Sequence, residues 1–332
     1  MAIGTGTVIA NAEVTAAPGP RRGRVRLPRS PKILTGLGIL TFFVLLAIIG
    51  PFARPDDPSK TFANSPVPLA PSAAHWLGTT QLQQDVFSQL IVGGGSMLLV
   101  ALIGGVIATI LSVVMGVTAG YLGGLADDLL SMLANIFLVL PALPLLIILL
   151  GFLGSAGANL FVVGLVISLT GWAWGARVLR AQTLSLRNRD YVDAARITGE
   201  RPWKIIANEI VPNLMPIVAS SFLFTVLYAI GTYTALAFLD LVNPQWNWGG
   251  MLFYASNSTA ELSGYWWWFI PPGLAIALLG TALVLLNFGV DEFINPRLRV
   301  AGLTGRPNRR RGGGRQGFAL TPVLIEPEGD HS

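Results

Sequence analysis

The sequence predicts an all-α integral membrane protein with six transmembrane helices, on two separate observations: the length of its apolar runs and the placement of its basic residues. Of 332 residues, 52% are hydrophobic and only 12% charged, whereas a soluble domain carries about 25% charged residues. A helix that crosses a bilayer needs roughly 20 mainly apolar residues. Six stretches qualify, at 33–52, 92–119, 129–153, 159–176, 213–239 and 270–290. An even number of spans returns the chain to its starting side.

The 22 Lys and Arg residues agree with that count. Six precede the first run (Arg21, Arg22, Arg24, Arg26, Arg29, Lys32), seven lie from Arg177 to Lys204, and seven follow from Arg297 to Arg315. Only Arg54 and Lys60 remain for every other loop. Cytoplasmic loops retain Lys and Arg, so the N-terminus, the 177–204 loop and the C-terminus are predicted to be cytoplasmic in a multi-pass plasma or inner membrane protein. The interleaved aromatics of a nucleic-acid-binding face are missing, so the net charge of +5 reads as topology and no nucleic-acid partner is predicted.

Residues 1–31 and 300–332 are rich in Gly, Pro and Arg and lack apolar periodicity, which predicts disordered basic tails resting near anionic lipid. The run 33–52 follows a long leader, has no clear small-residue cleavage site and ends at Pro51, as a retained first span would. With the following loop it makes a unit over 32–90, whose outside part opens Pro-rich and closes in an amphipathic segment around Gln81 to Leu90. The remaining spans form a core over 91–299. Within it Gly93 to Gly95, Gly104, Gly105, Gly116 and Gly120 supply small packing surfaces, the last two at GxxxG spacing. A second outside loop, 240–269, carries Trp246, Trp248, Trp266, Trp267 and Trp268. Trp favours the headgroup level, which predicts an interfacial belt, with contact to an extracytoplasmic partner as the alternative.

As drawn, no span has an ionisable residue in its interior, and Asn135 and Asn287 are among the few strongly polar side chains. Intramembrane charges mark proton relays and ion-coupling sites, so an ion-driven carrier is disfavoured and the energy source is expected outside this chain. There is no Cys, and there are two His. The carboxylate pairs Asp56 with Asp57, Asp127 with Asp128 and Asp291 with Glu292 read as solvated loops or helix ends. No catalytic residue, cofactor or metal site is predicted.

The segment from Arg177 to Pro216 carries its own helix punctuation. Asp190 is read as an N-cap, Asp193 as a first-turn carboxylate, and Gly199 as a left-handed terminator, which together predict a short helix over about 190–198. Pro202 would open a second helix and Pro212 end it before the fifth span. On the first helix Tyr191, Ala194, Ala195 and Thr198 share a face, with Asp193 and Arg196 at its rim. A short capped helix with little to bury in its own bundle is built to dock into a partner.

The run YVDAAR, with Gly199 four residues after Ala195 and Pro212 thirteen after Gly199, resembles the EAA loop of ABC importer permeases. The flanking Arg177, Arg180, Gln182, Leu184 and Leu186 are similar to the dipeptide, oligopeptide and nickel branch. Further stretches agree. His75, Leu77, Gly78, Thr79, Leu82, Asp85, Val86, Ser88, Leu90 and Ile91 resemble the branch's signature before the second span. Gly120, Tyr121, Gly123, Gly124 and Asp127 resemble its turn between the second and third spans. Pro244, Trp248, Gly249, Met251 and Leu252 resemble its last outside loop. The resemblance covers about residues 33–299 and is to the second permease of the pair.

The resemblance implies a type I ABC importer permease fold with a cytoplasmic coupling helix, translocating di- or oligopeptides. The partners it implies are a second homologous permease, two ABC ATPase subunits and an extracytoplasmic solute-binding protein. Tyr191, Asp193, Ala194, Ala195, Arg196, Gly199 and Pro212 would couple to the ATPase. ATP hydrolysis falls to a partner, because the only Lys followed by Ser or Thr is Lys60, outside and without a Gly-rich loop. Asp193 departs from the family's usual Glu; Thr80, Gln83, Gln84, Gln89, Glu209 and the ending NFGVDEFINPRLR also depart. These keep oligosaccharides or nickel as alternative solutes, and a stand-alone channel or carrier as an alternative class. The third to fifth spans line the path in this architecture, which makes Asn135, Ser168, Thr232 and Thr234 solute candidates by position, against helix-to-helix hydrogen bonding.

Overall fold

The computed structural model describes residues 31–53, 57–62, 67–242 and 246–294. Both basic tails, Arg54 and Pro244 lie outside the described residues. Among them the chain is helical, without strands: α1 (Pro31–Ala53), α2 (Val86–Leu122), α3 (Gly124–Val139), α4 (Ala142–Leu153), α5 (Leu160–Leu186), α6 (Asp190–Ile197), α7 (Pro202–Ile205), α8 (Val211–Phe238), α9 (Trp248–Asn257) and α10 (Trp266–Ile294). Five of the described helical stretches are long and apolar enough to cross a membrane, six when α3 and α4 count as one broken span.

α2 is the axis of the bundle. At 37 residues it runs about 55 Å, well beyond the roughly 30 Å hydrocarbon core. It packs most extensively on α5 and then α8, with α1 and α3 on its other sides. Lipid tails are as apolar as the helices, so close van der Waals approach has to hold the bundle, and small residues permit it. A Cβ on Gly116 would lie 2.3 Å from the carbonyl oxygen of Ala176, and one on Gly120 would lie 2.8 Å from that of Arg180. Main chain cannot step aside. Gly116→Leu is expected to destabilise the bundle by about 3 kcal/mol, read as a lower melting temperature in detergent and lower membrane yield; wild-type melting would refute the close approach.

The third span departs from the sequence expectation of one helix over 129–153. α3 and α4 meet at a 93° bend. Leu140 is extended (φ −64°, ψ 131°), as a residue before proline prefers, and Pro141 has no N–H to return to the carbonyl of Phe137. The fourth span is longer than predicted, since α5 runs on to Leu186 and carries Arg177 and Arg180 with it. Pro212 also differs from its predicted role. The chain continues helically from Pro202 to Phe238 through a π turn, Ile206–Ile210, in which the Val211 N–H donates to the carbonyl of Ile206. Pro212 follows that turn in the first turn of α8, where a missing N–H breaks no α-helical bond, so the helix runs through it.

The end of the bundle distant from α6 is capped by residues 57–62 and 67–85. Of the amphipathic segment Gln81 to Leu90, residues 81–85 form a turn and 86–90 open α2, which starts at Val86 with Asp85 as N-cap, accepting from the Ser88 N–H at 2.7 Å. The other Asp85 oxygen meets His75 Nδ1 at 3.1 Å, both side chains buried. Trp248 Nε1 donates to the carbonyl of Leu90 at 2.8 Å and Trp267 Nε1 to that of Thr79 at 3.3 Å. Trp248, Trp267 and Trp268 are buried in the cap, so the predicted interfacial belt is corrected: only Trp266 of the described tryptophans in this loop is half exposed. The indole N–H groups of Trp248 and Trp267 are thus occupied by main-chain carbonyls, one at the start of α2 and one in the cap.

Candidate functional site: the α6 surface and the bent span

α6 forms over Asp190–Ile197 because its ends are chemically marked. The N-cap is Arg189 and not Asp190, and no side chain caps it; Asp190 and Asp193 sit in the first turn, where the helix dipole favours carboxylates. At the other end Gly199 takes φ +78°, the Gly199 N–H donates to the carbonyl of Arg196 at 3.0 Å, and the Glu200 N–H to that of Ala195 at 3.1 Å. This is a Schellman termination, as Gly199 predicts.

The helix does find something to bury in its own bundle. Val192 is fully buried with Val117, Tyr121, Leu179, Ile205, Ile210 and Leu214, and Ala195 is half-buried against the same group. A one-residue anchor thus seats α6 across the ends of α2, α5 and α8. Arg196 lies over the Tyr121 ring, 5.3 Å from its centroid, and its Nη1 donates to Asp193 Oδ1 at 2.9 Å. Tyr121 first and Asp193 second hold the guanidinium in its charged form, raising its pKa. One further tie sets the base of the loop: Arg180 on α5 makes a bidentate pair with Asp127 on α3, the Nη2 to Oδ2 arm at 2.7 Å, while Ser131 donates to Asp127 at 2.9 Å. Arg187 Nη1 donates to the carbonyl of Gly120 at 3.2 Å.

What remains outward is apolar for a polar loop. Ile197 is 87% exposed, Trp203 64% and Tyr191 37%, with Ala194 exposed between them. Of the predicted site residues, Tyr191, Asp193, Ala194, Arg196 and Gly199 share this surface. Ala195 turns half inward, and Pro212 stands apart at the start of α8. Sequence reasoning missed Val192, Tyr121 and the Asp127–Arg180 pair as parts of this arrangement, and Ile197 and Trp203 as its exposed face. In the sequence Tyr121 and Asp127 stand out only as members of a turn pattern and, for Asp127, as half of a solvated carboxylate pair; the structure instead covers Asp127 and pairs it with Arg180.

A second feature is the bend. Between α3, α4, α5 and α8 lies a cavity of about 550 Å³ lined by Phe137, Leu140, Thr170, Trp174, Phe224 and Tyr228, among others. Thr170 Oγ1 and Tyr228 OH are 2.9 Å apart. Non-helical backbone at membrane depth is tolerated where it lines a cavity, and this break does. Of the polar positions singled out from sequence, Ser168 donates to the carbonyl of Leu165 and Thr234 to that of Ile230, Thr232 is buried, and Asn135 lines a separate cavity nearer Arg177. Among the described residues no group of three or more His, Asp or Glu could hold a metal ion.

Residues 112–300 match the family model described as "Binding-protein-dependent transport system inner membrane component". The chain is 34% identical over 279 residues to the dipeptide transport system permease protein DppC of Bacillus subtilis (strain 168), covering 82% of this chain and 84% of that one. It is 32% identical over 277 residues to the oligopeptide transport system permease protein OppC of the same organism, covering 82% and 88%. It is 30% identical over 273 residues to the probable D,D-dipeptide transport system permease protein DdpC of Escherichia coli (strain K12), covering 82% and 89%. In fold it is similar to a chain of the inward-facing MetNI methionine ABC transporter, with TM-score 0.50 and 16% identity, covering 62% of this chain and 94% of that one.

Proposed function

This chain belongs to the binding-protein-dependent transport system inner membrane components, as a multi-pass permease subunit of an ABC importer, and from that premise we propose that it carries di- or oligopeptides inward. Support for peptides comes from the three relatives above, each named for peptide or dipeptide transport. The observation that carries the mechanism is the α6 surface: a capped helix, anchored by Val192, presenting Tyr191, Ala194 and Ile197 outward. An apolar stripe around the small Ala194, bordered by Asp193 and Arg196 and held on a buried seat, suits a groove in an ATPase domain.

The proposed assembly contains this permease, a homologous second permease, two ATPase subunits and an extracytoplasmic solute-binding protein, with both termini and α6 cytoplasmic. Closure of the ATPases on ATP displaces α6. Because Arg196 and Val192 tie α6 to the end of α2, and Asp127–Arg180 ties α3 to α5, the displacement reaches the bent span as a rigid-body motion. The cavity at the bend then passes the solute, its aromatic walls and Thr170–Tyr228 pair offering contacts without a fixed charge. The chain itself performs no chemistry; ATP is hydrolysed by the partner.

The test is a tagged copy in its native host, extracted in mild detergent, with uptake of a labelled dipeptide measured in parallel. Co-purification of a second permease and an ATPase is expected, together with loss of dipeptide uptake when the gene is deleted. Repeated recovery of the intact protein alone, under conditions that keep a control transporter together, would overturn the assembly. Unchanged dipeptide uptake with the partners present would overturn only the solute.

A further inference from the structure

We propose that the cap at the end distant from α6 contains a receiving pocket for an uncharged, multiply hydrogen-bonding segment of the solute. The inference rests on the importer reading for its direction, since the pocket lies at the N-terminal end of α2, about 55 Å along that helix from the Tyr121–Arg196 contact. If α6 is cytoplasmic, this pocket faces the side from which solute arrives.

Three separate segments build it. Ser59 and the run Thr80 to Gln89 form one wall, Trp246, Met251, Tyr254 and Ser258 another, and Trp268 a third, around about 540 Å³. That volume lies in the range of small-ligand pockets, roughly 300–1,000 Å³, and is concave where protein docking surfaces are broad and flat. The wall is rigid: Gln89 Nε2 donates to Gln84 Oε1 at 3.0 Å, Gln84 Nε2 approaches the carbonyl of Ser59 at 3.4 Å, and the buried His75–Asp85 pair fixes the turn behind them.

Its chemistry selects the ligand class. The lining contains Gln81, Gln84 and Gln89, the aliphatic hydroxyls of Ser59, Thr80 and Ser258, and the aromatics Trp246, Tyr254 and Trp268, with no charged residue among the described ones. Amides and hydroxyls both donate and accept, so they match peptide-backbone amides or sugar hydroxyls equally, while aromatic faces cover the apolar side of either. Among the described lining residues a fixed charge has no counter-ion. Of the four departures Thr80, Gln83, Gln84 and Gln89, all but the buried Gln83 line this pocket.

The test uses the intact transporter in lipid nanodiscs without its binding protein. Two neutral probes, N-acetyl-trialanine amide and maltotriose, are titrated and followed by saturation-transfer NMR. One of them is expected to bind, and which one distinguishes amide from hydroxyl recognition. Ser258→Trp, which fills the pocket, and Tyr254→Ala, which removes a stacking face, are each expected to weaken that probe about tenfold or more. Because Gln81 is exposed, Gln81→Glu adds a charge at the mouth without disturbing packing and is expected to weaken it too. Failure of both probes to bind, or binding indifferent to all three variants, would overturn the pocket. Recovery of the ATPases with each variant reports separately on the importer assembly, so a lost pocket and a lost assembly give different results.

Discussion

Ala194→Trp is expected to lower ATP-driven uptake at least about a hundredfold, the loss that follows when roughly 3 kcal/mol of docking is removed from the centre of an interface. Ala194 is exposed on α6 while Val192 faces the bundle, so the indole meets a partner and nothing within this chain. The variant should therefore insert and melt like wild type while ATPase recovery falls. Ala195→Trp is a poorer test, since its half-buried position would also displace Val192's neighbours. Gly199 separates conformation from contact. Its φ of +78° costs a β-branched residue about 1–2 kcal/mol, yet no atom lies within 4 Å of its Cβ position. Gly199→Asn, which tolerates the left-handed region, should retain most uptake, and Gly199→Val should lose it. Equal uptake in both variants would show that the termination of α6 does not matter to coupling.

Much of this arrangement is legible in sequence because its signals are local. A Gly after a short polar helix, a run of about 20 apolar residues and a one-sided distribution of Arg each act within a few turns. The misreadings share a different cause. Averaged hydropathy over 129–153 hides the bend, although Leu140 and Pro141 state it once the residue before proline is read for its backbone preference. Pro212 reads as a terminator because it cannot return an i→i−4 hydrogen bond, yet it falls in the first turn of α8 directly after a π turn, where that bond is not required. The tryptophans of the second outside loop look like a belt until the carbonyls of Thr79 and Leu90 are seen to accept from two of them. Tyr121 and Arg196, seventy-five positions apart, and Asp127 and Arg180, fifty-three apart, meet only because α2, α3 and α5 converge at one end. No window along the chain contains both partners.

The last of these pairs carries the second large effect. Asp127 opens α3 and Arg180 lies near the end of α5, so their bidentate contact is the tie between the bent span and the root of the α6 loop. Arg180 is about one-third exposed and Asp127 is largely covered, at 34% and 14% side-chain exposure, which places the pair between surface and buried ion pairs. Removing either partner is expected to cost about 1–3 kcal/mol, because the one left behind keeps its desolvation without its compensation. Asp127→Ala also strands the Ser131 hydroxyl, which donates to the same carboxylate. The decisive comparison is a double-mutant cycle with Asp127→Ala and Arg180→Ala, read by thermal stability in detergent and by uptake. If the tie acts as a unit, the double variant is about as stable as either single one, and uptake falls tenfold or more in all three while α6 still binds the ATPase. ATPase activity without uptake would then mark a stroke that reaches α6 and stops at α5. Additive losses of stability with full uptake would instead reduce the pair to packing, and leave the Tyr121–Arg196 contact as the path from α6 into the bundle.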